Sequence, residues 1–256
     1  MDSNMGPEKN EQLSAEAEFA DSAYTPWEND LTVNQGMFEM YAHPRRAWNP
    51  REVSAMMLGP VAGKRLFDFG CGMGEESIYF ALLGAEVHSM DISSKGVEIA
   101  RKRAAFNHLT ITAQCGDVLK NGYPDNYFDL MYGYGILHHV GLERGLQECV
   151  RLLKPGGKAV FVEHMSSSKF VDHLRESLPQ ADETHTEYEK PLTWRDCLAL
   201  RPRYKVQLVR MHFLSRLRVR MPFLRAEWVR RLDHALFSAV PPLQHFAGLV
   251  VIGLEK

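Results

Sequence analysis

The sequence predicts an α/β fold, a doubly wound and mostly parallel sheet of seven strands. Three observations predict it. Short apolar or β-branched runs recur from residue 65 onward, segments of helical period lie between them, and the first run ends in a bend with three alternating glycines. Strand and helix in strict alternation place parallel strands side by side with helices on both faces.

The expected strands are 65–69, 86–90, 110–115, 128–133 and 158–163, followed by 204–214 and 248–254. The clearest helix is 142–153, where Leu142, Leu146, Cys149, Val150 and Leu153 fall on one face. Segments 75–84 and 95–107 read likewise, the second through Val97, Ala100 and Ala104. Pro155-Gly156-Gly157 is expected to end a helix and turn the chain into the next strand. Thr193 and Asp196 predict a capped helix over 194–200. Residues 1–20 hold few large apolar side chains and read as a mobile acidic tail ahead of a single domain over 21–256. Within that domain, 21–60 is expected to form a helical N-terminal cap, 61–165 the ligand-binding core and 215–245 a helical insertion before the last strand.

Composition narrows the class. At 45% hydrophobic and 24% charged the chain has ordinary globular proportions, which argues against wholesale disorder. A net charge of −2 gives no global attraction to nucleic acid or to an anionic membrane. Cys71, Cys115, Cys149 and Cys197 form no CxxC pair, so neither a disulfide framework nor a zinc site is expected, and a cytoplasmic setting is. The acidic N-terminus is unlike a signal peptide, and no apolar run approaches the roughly 20 residues of a membrane span.

The chemistry concentrates between residues 68 and 118. Asp68-Phe-Gly70-Cys71-Gly72-Met-Gly74-Glu75-Glu76 is a strand running through a glycine bend into a helix. Glycine there permits positive φ and lets a ligand approach the backbone. Nicotinamide and flavin enzymes use such a bend too, but their fingerprint wants glycine where Glu75 stands. A pyrophosphate at the helix N-terminus would meet the carboxylates of Glu75 and Glu76. A phosphate-free cation suits that turn better. Asp91, ending the second strand, can accept two hydrogen bonds from a ribose diol, and Asp117, closing the third, can accept from an exocyclic amine.

Residues 64–165 resemble the class I S-adenosylmethionine-dependent methyltransferases. The matching pieces are Asp68–Gly74, Asp91-Ile92, Gly116-Asp117-Val118, Phe128-Asp129-Leu130, Leu137-His-His-Val140 and Leu153-Lys-Pro-Gly-Gly157, in register over about 100 residues. The resemblance implies a Rossmann-like sheet whose final strand, 248–254, is antiparallel. It implies that Gly70, Cys71, Gly72 and Gly74 wrap the methionine portion of the cofactor, with Asp68 near its ammonium. It also implies Asp91 on the ribose, Ile92 against adenine, Asp117 and Val118 at the adenine edge, and a carbonyl of Gly133 or Tyr134 near the amino group. S-adenosyl-L-methionine is the expected cofactor, S-adenosyl-L-homocysteine its product, and no metal is expected.

Methyl transfer requires the nucleophile to be held in line at ~3–3.5 Å, and in some cases relieved of a proton. His138 and His139 after the fourth strand, and Glu163 at the end of the fifth, are the candidates to open onto that crevice as base and orienting acid; the other reading has them shaping the pocket or capping a helix. Phe38, Tyr41 and Trp48 are expected either as a lid or as ordinary core, and Arg45 or Arg46 as a donor to the cofactor's carboxylate. Segment 201–231 holds ten Lys/Arg against Glu227 alone, with Leu224, Trp228, Leu232 and Leu236 at helical spacing. Solvated amphipathic helix, substrate lid and peripheral membrane contact through 215–237 are its three readings. A small, partly apolar acceptor, natural-product or lipid/quinone-like, is the expected partner, with the chain a monomer or homodimer. The alternatives are an RNA or protein methyltransferase and a non-catalytic adenosyl-binding scaffold. Against nucleic acid, the sequence has no Asn/Asp-Pro-Pro-Tyr/Phe motif and no appended RNA-binding module.

Overall fold

The computed structural model describes residues 7–44, 49–166, 192–211 and 226–256. Seven strands form one sheet in the order β3-β2-β1-β4-β5-β7-β6. They are β1 (Arg65–Phe69), β2 (Glu86–Asp91), β3 (Thr112–Cys115), β4 (Phe128–Tyr134), β5 (Leu153–His164), β6 (Lys205–Met211) and β7 (Leu249–Glu255). The first five are parallel, and β7 runs antiparallel to both β5 and β6, in agreement with the predicted doubly wound sheet. Strand order reverses between β1 and β4. In open α/β sheets the crevice at the carboxyl ends of the strands on either side of such a reversal is where ligands bind.

Alternation along the central strands splits the core between the two faces. Phe67, Phe69, Met131, Phe161 and Ile252 pack on one side with α7 (Leu142–Leu152). Leu66, Leu130, Tyr132, Val160 and Val162 pack on the other, beneath α2 (Gln35–Ala42), α3 (Pro50–Leu58) and α4 (Glu75–Leu82). The remaining helices are α1 (Pro7–Tyr24), α5 (Ser94–Phe106), α6 (Leu137–Val140), α8 (Trp194–Ala199) and α9 (Ala226–Ala239). Thr193 and Asp196 make the expected capping box at the start of α8.

Three expectations change, and one open alternative is decided. Residues 7–20, read as a mobile tail, belong to the 18-residue helix α1; its inner positions are a glutamate and alanines as much as large apolar groups, so periodicity missed it. Pro155-Gly156-Gly157 lies inside β5 as an irregularity. The register jumps from Phe128↔Leu153 to Leu130↔Lys158, with Gly156 at φ 76°. Phe38 and Tyr41 are core rather than lid: Tyr41 is buried among Tyr79, Phe80 and Tyr132, with its hydroxyl 2.9 Å from that of Tyr132, and Phe38 packs against Tyr79. On α9 the predicted stripe is displaced by one position. Val229, Asp233 and Phe237 face inward, while Trp228 and Leu232 are exposed. Arg45, Arg46, Trp48 and residues 215–225 of the basic insertion lie outside the described residues. No helix among the described residues is long and apolar enough to cross a membrane.

The attachment of α1 is specific. The carboxylate of Asp21 accepts from Ser93 Oγ at 2.5 Å, Lys95 N at 3.0 Å and Ser94 Oγ at 3.1 Å, covering the first turn of α5. Partial burial works against ionisation there, but these donors and Lys95 hold the Asp21 carboxyl below its ordinary range. Just beyond α1, Glu28 pairs with the Lys95 ammonium. Replacing Asp21 with Ala removes an acceptor at a helix start, and should cost about 1–2 kcal/mol in urea unfolding while accelerating amide exchange along α1. Unchanged exchange in α1 would show that the helix is held by other contacts.

Candidate functional site

A cleft of about 770 Å³ opens at the carboxyl ends of β1, β2, β3 and β4, a size usual for a small-molecule site. Its floor is Gly70, Asp91, Ile92, Gly116, Asp117 and Val118; Tyr134, Gly135, Ile136, His139 and Val140 form one wall. The roof is α1 with the turn after it, through residues such as Leu13, Glu16, Phe19, Tyr24 and Trp27.

The bend after β1 is gripped from below. Gly70 N and Cys71 N both donate to Met90 O, and Gly72 N donates to Asp91 Oδ2 at 2.7 Å. The other oxygen of Asp91 accepts from Ser93 N at 2.9 Å. Burial raises the Asp91 carboxyl above its ordinary value, opposed by these two amide donors. Gly70 has φ 80°, and a Cβ there would sit 2.6 Å from the Ile136 side chain, so this position accepts only glycine.

The expected cofactor residues divide into two groups. Gly70, Asp91, Ile92, Asp117, Val118 and Tyr134 line the cleft. Asp68, Cys71, Gly72, Gly74 and Gly133 are not among its lining residues and shape the loop instead. Asp68 is 2% exposed beneath the bend and accepts from Ser77 Oγ at 2.5 Å. Gly74, at φ 74°, lets α4 approach Ala100 of α5, and Gly133 leaves room for Phe161 and Ile136.

Charge is distributed differently from the sequence expectation. Glu76 does not face the cleft; its carboxylate accepts from the Arg51 guanidinium of α3 at 2.8 and 3.1 Å, and Glu75 lies 3.8 Å from the same group. The acidic turn is therefore partly neutralised. Among the described residues the cleft's carboxylates are Asp91, Asp117 and Glu16, and no Lys or Arg lines it. Asp117 carries an informative atom. Its Oδ1 accepts from Leu119 N at 2.9 Å, whereas Oδ2 is buried without a hydrogen-bond partner. A buried carboxylate oxygen without a donor costs free energy that a ligand N–H would recover. Among the described residues a pyrophosphate would find three carboxylates and no cation, whereas a sulfonium and an amine-bearing adenosyl group suit those carboxylates. The residues present fit S-adenosylmethionine. Among the described residues no group of His, Cys, Asp and Glu could hold a metal ion.

The three candidate catalytic residues are not equivalent. Glu163 is 0% exposed. Its Oε1 accepts from Ile136 N at 2.9 Å and Leu137 N at 2.7 Å, and its Oε2 from His138 Nδ1 at 2.7 Å. It thus clamps the start of α6, which has no side-chain cap of its own. The His138 side chain is 6% exposed, and of the three only His139 lines the cleft. The sequence reading missed Glu16 and the helical part of the roof before residue 21, whose one signal was the helical spacing of Leu13, Ala20 and Tyr24.

Two substitutions test these assignments. Glu163→Ala leaves two amides and an imidazole without their acceptor, and should lower stability by about 2–4 kcal/mol and deprotect the Ile136 and Leu137 amides in hydrogen exchange. Burial, only partly offset by Ser77, pushes the Asp68 carboxyl up to about 7 from its ordinary 3.8. The folded chain therefore holds a proton between pH 4 and 7 that the unfolded chain releases. The contribution of Asp68 to stability is full below pH 4 and is lost as pH rises through 7. Asp68→Asn should flatten the fall in unfolding free energy over that window; an unchanged slope would assign it to other groups.

Comparison with known proteins agrees with this geometry. A methyltransferase-domain family model matches residues 67–161. The demethylmenaquinone methyltransferase of Tropheryma whipplei is 35% identical over 146 residues, 54% of this chain and 57% of that protein. The ubiquinone biosynthesis O-methyltransferase of Coxiella burnetii is 35% identical over 102 residues, 40% of this chain and 44% of that one. The chain thus spans about half the length of these curated relatives. Among solved structures, the geranyl diphosphate C-methyltransferase of Streptomyces coelicolor superposes with TM-score 0.59 at 14% identity, covering 93% of this chain and 98% of that one. With its strand order, glycine bend and carboxylate-lined cleft, the chain is similar to the class I S-adenosylmethionine-dependent methyltransferases, and residues 67–161 match a methyltransferase domain.

Proposed function

We propose that this chain transfers the methyl group of S-adenosylmethionine to a small, partly apolar organic acceptor. The observation that carries the reading is the pair of carboxylates at the floor of the cleft, Asp91 and Asp117, the second with a buried oxygen awaiting a donor. In this reading Asp91 accepts from the ribose hydroxyls and Asp117 Oδ2 from the adenine amine, while Ile92 and Val118 supply apolar contact to the base. The glycine bend leaves space for the methionine portion, near the backbone of Tyr134. When bound, S-adenosylmethionine supplies an activated methyl carbon on a sulfonium sulfur.

The chain's own part is binding, orientation and exclusion of water. At the end of the cleft beyond Tyr134, Leu13 of the roof with Ile136 and Val140 of the wall gives an apolar surface, and Glu16 of the roof with His139 of the wall gives a polar one. That mixture suits an acceptor with an apolar body and one polar group. Two relatives are named for demethylmenaquinone and for ubiquinone biosynthesis, which supports an acceptor of comparable apolar character.

Isothermal calorimetry should show uptake of S-adenosylhomocysteine and none of NADH. Asp91→Ala and Asp117→Ala should each weaken uptake by about 10–100-fold, the loss of one or two charge-assisted hydrogen bonds. Radiolabelled methyl transfer into fractionated extract then identifies the acceptor class, with label in the small-molecule or lipid fraction expected. No uptake by folded protein, or label confined to RNA or protein, would overturn the reading.

A further inference from the structure

The polar end of the cleft is built from two elements far apart in sequence. Glu16, on α1, is 8% exposed although its helix lies at the surface. A buried carboxylate needs partners to stay ionised. Gln12 Nε2 donates to Glu16 Oε1 at 2.8 Å, fixing one oxygen from the preceding turn of the same helix. The other oxygen, Oε2, lies 3.9 Å from Nδ1 of His139, on α6, whose side chain is 27% exposed and lines the cleft. Behind His139 stands His138, with ring centroids 4.3 Å apart, itself held by Glu163. The two histidines therefore divide the work: His138 is locked into the wall by β5, and His139 is offered to the cavity opposite an acid carried by the roof.

Resting on the proposed methyl transfer, we infer that Glu16 is a positioning residue for His139, and that the two form the proton-accepting end of the cleft for an acceptor bearing a hydroxyl or amine. Glu16 turns Nδ1 toward itself and stabilises the imidazolium, so Nε2 is the nitrogen that takes the proton. As the acceptor's oxygen or nitrogen forms its bond to the methyl carbon, the carbon–sulfur bond breaks and its electron pair stays on sulfur. The proton of the attacking O–H or N–H passes to His139 Nε2 and then to water. The attachment of the roof and the placing of this pair depend on one element, because Glu16 and the Asp21 latch sit on the same helix.

Among the described residues, the titratable groups around His139 are Glu16 on α1, His138 on its own helix and Glu163 on β5. Asp91 and Asp117 lie farther along the same cavity. The test is NMR titration of the histidine imidazoles in the full-length chain saturated with S-adenosylhomocysteine. Glu16→Gln should lower the His139 midpoint by about one pH unit, because an opposite charge at this range favours the protonated ring. The His138 signals should stay in place, and Glu16→Asp should restore part of the shift. If Glu16→Gln does not fold, His139→Asn gives the reciprocal measurement. Loss of the imidazolium should raise the Glu16 carboxyl midpoint by a similar amount, as linkage requires. A His139 midpoint unmoved by Glu16→Gln, or a Glu16 midpoint unmoved by His139→Asn, would overturn the pairing. Failure of S-adenosylhomocysteine to bind would instead overturn the cofactor reading, and the same titrations on the protein alone still decide the pair.

Discussion

Two backbone amides, from Gly72 and Ser93, converge on the carboxylate of Asp91, and the geometry of the site follows from that convergence. One amide belongs to the bend after β1, the other to the turn that starts α5. By holding both, Asp91 fixes the glycine bend against the carboxyl end of β2 and sets the floor of the cleft. Ser93 then caps α5 by accepting from Gly96 N, and donates its own hydroxyl to Asp21 on α1. A short chain of hydrogen bonds thus connects floor, cofactor bend and roof. A carboxylate suits the centre of such a chain because each oxygen can accept more than one bond, leaving capacity for a ligand diol.

The electrostatics of the cleft come from which carboxylates face it. Acids are plentiful around the bend, but Glu76 is spent on Arg51 and Asp68 lies buried under the loop, pushed toward its neutral form. What remains at the cavity among the described residues is Asp91, Asp117 and Glu16, with no cationic lining residue. Such a surface disfavours a pyrophosphate and favours a cationic adenosyl ligand. The relevant distinction between nucleotide-binding sheets is therefore made in the open cleft, and not at the helix N-terminus where the sequence drew attention to it.

Glu163 and Glu16 show how burial assigns different tasks to one residue type. Glu163 has both oxygens occupied by α6 and His138, so its work is to hold the wall. Glu16 keeps one oxygen turned to a partly exposed histidine at the cavity. The clamp comes from the sheet and is rigid. The acid that meets the histidine comes from α1, an element held by a latch at its far end, which ties the state of the roof to the chemistry beneath it.

Strand positions, the glycine bend and the carboxylates at the ends of β2 and β3 were legible in the sequence. A buried parallel strand needs an uninterrupted apolar run, and a close backbone approach needs glycine. Gly70, Asp91 and Asp117 reach the cleft as that local pattern implied, and Ile92, Val118 and Tyr134 as the resemblance implied. The roof was not legible, since α1 packs through alanines, a glutamate and Tyr24, whose burial depends on partners 70 residues away. Nor could the pattern tell His138 from His139, or Phe38 and Tyr41 as core from a lid. Adjacent residues on a short helix, and aromatics on a surface helix, differ only in what the rest of the chain places beside them. Local sequence determined the bend and its carboxylates because each stands at the carboxyl end of its own strand, where the apolar run and the turn after it fix the backbone. The tertiary structure alone decided which charges are neutralised and which helix closes the site, because those contacts join segments that meet only once the sheet has formed.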